Sequence, residues 1–113
     1  MSNDIRIRRK PGTWVVRAGG AVIGESAKVL ELSEGHLPDV LYFPRADLAM
    51  AMLEPSATST TCPKKGTASY FSIPTKSTLI EDAGWSYETP LDAVAEIAGH
   101  IAFYPDKVTI EEL

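Results

Sequence analysis

The stretch Thr13-Trp14-Val15-Val16-Arg17-Ala18-Gly19-Gly20-Ala21-Val22-Ile23-Gly24 decides the fold. Its first half is aromatic and β-branched, which suits a pleated surface. Gly19-Gly20 then supplies positive φ twice in succession without steric cost, as a two-residue hairpin turn requires. Ala21 to Gly24 returns as the partner strand. A chain that opens this way is β-rich, and the flanking segments continue the pattern.

Ahead of the hairpin, Ile5-Arg6-Ile7-Arg8 alternates with period two and reads as a strand. Beyond it, Lys28 to Leu32 is a further strand, and Ser33 to Pro38 is loop by composition. Val40-Leu41-Tyr42-Phe43 is a short apolar run ended by Pro44, a buried strand. Arg45 to Leu53 predicts a short helix, because Ala, Leu and Met form helices well and Pro44 suits a first turn. Glu54 to Lys65 is Ser/Thr/Pro-rich and reads as the longest loop, the kind that is often functional. Thr67 to Ile73 is a strand, and Thr78 to Glu81 pairs with Trp85 to Tyr87 across a turn at Asp82-Ala83-Gly84. Thr89 caps a second helix, with Pro90 at its first position and Asp92 three residues after the cap. Leu91, Val94, Ala95 and Ala98 share its apolar face, and Gly99 ends it. His100 to Tyr104 and Val108 to Glu111 are strands about a turn at Pro105-Asp106-Lys107. About eight short strands and two short helices predict a single α+β, β-rich domain over residues 1–113. A compact, partly closed barrel would protect that many edges.

The composition fits a soluble globular domain, with 44% hydrophobic and 23% charged residues. It excludes disorder, collagen and coiled coil as the main state. Apolar runs such as Val40 to Phe43 and Ile101 to Tyr104 fall far short of the about 20 residues of a membrane span. Met1-Ser2-Asn3-Asp4 leads into a basic strand and not into the apolar core of a secretory signal. Cys62 is the one cysteine. A cytoplasmic protein with no membrane partner is expected. The net charge of −4 argues against bulk nucleic-acid binding. The charge is uneven: Arg6, Arg8, Arg9, Lys10 and Arg17 against Asp4 give the first 17 residues +4, and the remainder carries −8. That basic strand either meets acidic neighbours on folding or forms an anion-binding edge.

Signatures of known chemistry are missing. No phosphate-binding GxxxxGK, GxGxxG, HExxH or GxSxG motif occurs. Cys62, His36 and His100 lack the paired spacing of a zinc site, so neither a metal nor another cofactor is expected. Candidate residues come singly. Cys62 lies beside Lys64 and Lys65, whose ammonium groups favour a thiolate; otherwise it is a small residue anchoring its loop. Lys65-Gly66 lets the backbone approach an anion closely, or is a turn with a solvated lysine. Arg45 either grips a carboxylate or phosphate bidentately or pairs with an internal acid such as Asp47. His100 is a distant base or ligand contact, or a hydrogen-bonded strand residue. Tyr42, Tyr70, Trp85, Tyr87 and Tyr104 are core residues or the wall of an aromatic pocket.

Four motifs in order carry a resemblance: Tyr42-Phe43-Pro44; Cys62-Pro63-Lys64-Lys65-Gly66 with Ala68 and Tyr70; Trp85-Ser86-Tyr87 with Pro90; and Gly99-His100-Ile101-Ala102-Phe103-Tyr104. Over about residues 13–109 the chain resembles the bacterial and fungal domain-of-unknown-function family numbered 427. The resemblance implies a small cytoplasmic domain with a β-tent or compact barrel fold, like that of zinc-binding β-tent proteins. This chain lacks the paired cysteines those proteins use. It also carries Lys64 where the family often has an aromatic residue. The family has been labelled nucleotidyltransferase-like, yet no Asp-x-Asp pair stands here to hold Mg²⁺. Glu81 and Asp82 are adjacent, and on a strand would point to opposite faces.

The readings combine into three expectations. The first is a module that binds a small anionic molecule between Tyr42, Tyr70, Trp85 and Tyr104, closed by the Cys62 to Gly66 loop, with Arg45, Lys65 and His100 as further contacts. The second is an enzyme using Cys62, as a transferase, hydrolase or thiol redox catalyst. The third is a homo-oligomeric interaction module. Trp85 and Tyr87 should share a face and Ser86 oppose them. Trp85→Ala should fold poorly, and Lys65→Ala should leave stability nearly unchanged, because an exposed lysine outside a core contributes little.

Overall fold

The computed structural model describes residues 4–113; the reading of Met1-Ser2-Asn3 lies outside them. The strands are β1 (Ile5–Arg9), β2 (Trp14–Ala18), β3 (Ala21–Ser26), β4 (Leu30–Glu34), β5 (Val40–Pro44), β6 (Glu54–Cys62), β7 (Gly66–Pro74), β8 (Leu79–Ser86), β9 (His100–Phe103) and β10 (Thr109–Glu112). All pairings are antiparallel. Seven strands form one sheet in the order β1-β4-β5-β9-β8-β7-β6, and β10-β2-β3 form a second. Both sheets are open, with edges at β1 and β6 and at β10 and β3, so the described strands close no barrel. The Gly19-Gly20 hairpin forms as its sequence requires, with φ of 55° and 83°.

Period-two alternation gives the large sheet two different faces. From β5, β9 and β8, Phe43, Ile101, Phe103 and Ala83 join Val16, Ile23 and Val108 in the core between the sheets. The opposite face carries Tyr42, Ala102 and Leu32, with Trp85 and Tyr70 packed beside them. Trp85 and Tyr87 lie in this second cluster together, while buried Ser86 accepts a bond from Arg45 Nη2 at 3.4 Å. The basic strand meets its acidic neighbours: Glu31, almost fully buried, takes Arg8 Nε and Lys10 Nζ at 3.0 Å each. Arg17 pairs with Glu111 at 3.3 Å.

Both predicted helices are corrected. Residues 45–53 make two separate 3-10 turns, Arg45–Asp47 and Met50–Met52. Between them Leu48 is extended (φ −111°, ψ 147°) and bridges to Gly24. A bridge to β3 outweighs the helix propensity of Ala, Leu and Met. Residues Asp92–Ile97 are 3-10 as well, broken at Val94. Thr89 does not cap this segment; Leu91 precedes it with no side-chain cap. Its buried residues are Val94 and Ile97, three apart as a 3-10 turn requires, while Leu91 is exposed. No α-helix occurs among the described residues, so the domain is β-rich without being α+β. None of its helices is long and apolar enough to cross a membrane.

Two strand readings also change. The predicted loop from Glu54 to Lys65 is mostly the edge strand β6. The predicted turn at Asp82-Ala83-Gly84 lies inside the continuous strand β8. There the β7–β8 register shifts between Phe71 and Ile73, and Asp82 takes φ 49°. This irregularity bends the strand without ending it.

Candidate ligand-binding site

One row of paired residues builds the floor of the site. Tyr42 on β5 faces Ala102 on β9, Ala102 faces Trp85 on β8, and Trp85 faces Tyr70 on β7. Ala102 is small and fully buried, so the larger rings on either side of it meet above the sheet. Tyr42 and Trp85 stand edge to face at 6.4 Å and 85°, and Trp85 Nε1 donates to Tyr42 Oη at 3.3 Å. Trp85 also packs against Tyr104, with ring centroids 4.5 Å apart. Such pairs add to the burial energy of the rings themselves.

These rings wall a cavity of about 640 Å³, within the usual size range of small-molecule sites. Tyr42, Tyr70, Trp85, Tyr87 and Tyr104 all line it. Burial pushes the phenols of Tyr42 and Tyr87 up. Tyr104 is pushed up to about 12 by burial first, and then by its hydrogen bond with Tyr70. A phenol that costs too much to ionise in a dry site stays a neutral donor.

Lys65 and Glu34 contribute opposite charges to the lining. Lys65 sits in the β6–β7 turn, where its N–H donates to the Cys62 carbonyl at 3.2 Å. Its Nζ donates to Glu34 Oε1 at 2.7 Å and lies 3.8 Å from Cys62 Sγ. Burial works against the Lys65 charge, but the Glu34 hydrogen bond and the nearby Cys62 and Tyr87 groups hold its ammonium above the usual lysine value. Only 13% of the Lys65 side chain and 15% of that of Glu34 is exposed. The premise of a solvated lysine is therefore corrected. Lys64 approaches the other Glu34 oxygen at 3.6 Å.

The remaining candidates lie elsewhere. Arg45 is ion-paired with Glu88 and stacks 5.4 Å over the Phe71 ring, away from the cavity lining. Its partner acid is Glu88 and not Asp47, whose carboxylate accepts from Ser26 at 2.6 Å. His100 Nδ1 lies 2.9 Å from the Ala98 carbonyl, and the residue lines no part of the cavity. Gly66 pairs with Cys62 across the hairpin (φ 117°) and is not a lining residue. Cys62 is half-buried behind Lys65 and does not line the cavity either.

Glu34 and Trp14 line the cavity without having stood out in the sequence. The signal for Glu34 was present: Leu30, Leu32 and Glu34 continue one period-two face. Among the described residues no three His, Cys, Asp or Glu side chains form a set that could hold a metal ion.

A family model described as a domain of unknown function (DUF427), and labelled NTP_transf_9, matches residues 6–112. The chain belongs to this family. A search of curated proteins finds no match. In this DUF427 chain the four motifs of the resemblance come together in space. Tyr42-Phe43-Pro44 close β5, Cys62 to Gly66 form the β6–β7 hairpin, Trp85 and Ser86 end β8 with Tyr87 just past it, and β9 runs between β5 and β8.

Proposed function

We propose that the domain binds a small organic molecule with a flat body and one acidic group, the body against Trp85 and Tyr104 and the acid at Lys65. One observation carries this reading: a cavity of ligand size whose aromatic wall ends in a nearly buried Lys65–Glu34 pair. Lys65 offers a charge that already stands partly desolvated, and Glu34 sets a limit on the charge it can receive. With Lys65 against Glu34 and Asp39, the lining is net negative by one. A monoanion or zwitterion suits such a lining better than a polyphosphate. Two open sheets over a shared core are in keeping with a β-tent-like form, and an unpaired Cys62 suits a reducing, cytoplasmic setting.

Both tryptophans line the cavity, so intrinsic fluorescence reports on it directly. Titration with benzoate, para-hydroxybenzoate and indole acetate should give a saturable change. Lys65→Ala should weaken binding about tenfold, the worth of one charge-assisted hydrogen bond. No saturation with any aromatic acid would refute the reading.

A second reading rests on the 3.8 Å approach of Lys65 Nζ to Cys62 Sγ, which sets a cation beside the one thiol. A Cys62-dependent enzyme would then alkylate faster at neutral pH than Lys65→Ala does. Equal rates in the two proteins would remove it.

A further inference from the structure

The cavity has a neighbour. A shallower pocket of about 350 Å³ lies on its far side, and Tyr70 and Tyr104 line both. These two rings are common to both linings. The outer pocket differs in kind from the inner one: its other lining residues are Thr58, Thr60, Asp82, Asp106 and Lys107.

The polar groups there are held in place before any ligand arrives. Thr58 Oγ1 donates to Asp82 Oδ2 at 2.7 Å. The Thr60 and Tyr70 hydroxyls lie 3.0 Å apart. Lys107 Nζ donates to the Glu81 carbonyl at 2.8 Å and sits 5.4 Å from the Tyr104 ring. Asp82 is the one described non-glycine residue with positive φ (49°), placed where β8 departs from register with β7. Its N–H is satisfied by Ser72 Oγ at 3.0 Å. A strained residue at a bulge re-aims a side chain, and such strain collects at functional sites.

The two pockets adjoin at Tyr70 and Tyr104, and strand β8 runs past both. Asp82 lines the outer pocket, Trp85 the inner cavity, and Tyr87, just past the strand, lies near Lys65. A fully extended strand would put Asp82 and Tyr87 about 16 Å apart, and the bend at Asp82 shortens that span. That is the length of a two-ring molecule, not of a single ring. The outer end has two carboxylates against one ammonium, so it disfavours a second acidic group. It combines acceptors, hydroxyls and an exposed aromatic edge, the groups that hold a neutral ring bearing several hydroxyls.

The structure assigns to the outer pocket the hydroxyl-rich end of the ligand: the Thr58–Asp82 pair and the Tyr70–Tyr104 wall receive a sugar or similar polyol joined to the flat acid in the inner cavity. This inference rests on the proposed binding function and names its ligand class, a glycoside of an aromatic acid.

The test compares para-hydroxybenzoate with its O-glucoside, O-galactoside and O-mannoside by calorimetry and tryptophan fluorescence. At least one glycoside should bind about tenfold more tightly than the parent acid. Asp82→Asn and Thr58→Val should each remove that gain and leave the parent acid's affinity unchanged. Asparagine tolerates the left-handed region, so the first variant keeps its backbone. If the parent acid binds and no glycoside gains, or if Asp82→Asn weakens both alike, the outer pocket is not a sugar subsite. If neither the parent acid nor any glycoside binds, the cavity reading falls and takes the subsite with it.

Discussion

Replacing Lys65 with alanine should destabilise the domain by about 2 kcal/mol, a magnitude bracketed by the costs of exposed and buried ion pairs. An exposed pair is worth about 0.2–1 kcal/mol, because water and salt screen it. Breaking a fully buried pair costs about 3–5 kcal/mol, because the surviving charge is stranded. The Lys65–Glu34 pair, at 2.7 Å with side chains 13% and 15% exposed, stands nearer the buried case. Lys64, 3.6 Å from the second Glu34 oxygen, stays behind as a partial partner and lowers the cost. Glu34→Ala should be destabilising for the complementary reason, since it leaves the Lys65 ammonium among Lys64 and apolar neighbours. The double variant strands neither charge. It should therefore cost less than the two singles together, with a coupling of about 1–2 kcal/mol. Urea unfolding of the four proteins measures all three quantities, provided the m-values stay equal. A Lys65→Ala loss within about 0.5 kcal/mol, the scatter of ordinary surface changes, would refute the reasoning. So would a coupling of zero.

Trp85→Ala removes an indole that is half-buried, so it should cost about 2–3 kcal/mol, below the range for a fully buried one; urea unfolding should show a weakened but folded chain, and a loss under 1 kcal/mol would mean the cavity wall carries no load. Glu31 is held below the usual carboxylate range by the Lys10 hydrogen bond, against the opposing effect of burial and with further help from Arg8. Its folded value lies under its unfolded one, so its stabilisation is present above the unfolded value and is lost as pH falls through the folded one. Acid unfolding of Glu31→Gln should therefore be shallower than that of the parent; parallel curves would contradict the assignment. The phenols of Tyr42, Tyr87 and Tyr104 are raised by burial, so the unfolded chain releases their protons first. Stability should fall as pH rises beyond about 10, the free phenol's value, with ionisation by ultraviolet difference absorbance tracking unfolding. Ionisation of all four tyrosines near that value in a still-folded chain would refute it.

The fold was legible wherever apolar residues kept a period. Val40 to Phe43 and His100 to Phe103 alternate between two buried faces, and both are strands. Strand β6 was hidden because one side of it is an edge and nearly all its residues are exposed. Its sequence, Glu54-Pro55-Ser56-Ala57-Thr58-Ser59-Thr60-Thr61-Cys62, carries no apolar alternation, and its pairing slips between Pro55 and Ser59. Only the β-branched threonines hinted at a strand. The helix readings failed for a different reason. Short segments have little cooperative helical stability of their own, so the Leu48 bridge and the three-residue spacing of Val94 and Ile97 decided the outcome. For the site, aromatic residues named themselves, because large rings two apart on a strand must share a face. Charged residues did not, because a pairing such as Lys65 with Glu34 joins residues 31 apart in sequence. Arg45 shows the same limit: nothing local to it points to Glu88.

Charge arithmetic separates the ligand classes that the cavity and the family label suggest. A nucleotide's phosphates bring several negative charges and need cations within about 4 Å to offset them. Arg45, the side chain best suited to grip a phosphate, is committed to Glu88 and Ser86 outside the cavity lining. Lys64 is shared between Asp4 and Glu34. Among the described residues Lys65 alone lines the cavity as a cation, and Glu34 and Asp39 stand against it. A polyphosphate placed there would face two carboxylates with one paired ammonium in its favour. On the proposed reading a single carboxylate takes the place of Glu34 Oε1 at Lys65, while Lys64 stays 3.6 Å from Glu34 Oε2. The proposed ligand would then draw the larger part of its binding energy from the aromatic walls, through area removed from water at roughly 25 cal/mol per Å². On the proposed reading the aromatic row Tyr42, Trp85 and Tyr70 sets affinity, and the Lys65–Glu34 pair sets which end of the ligand carries the charge.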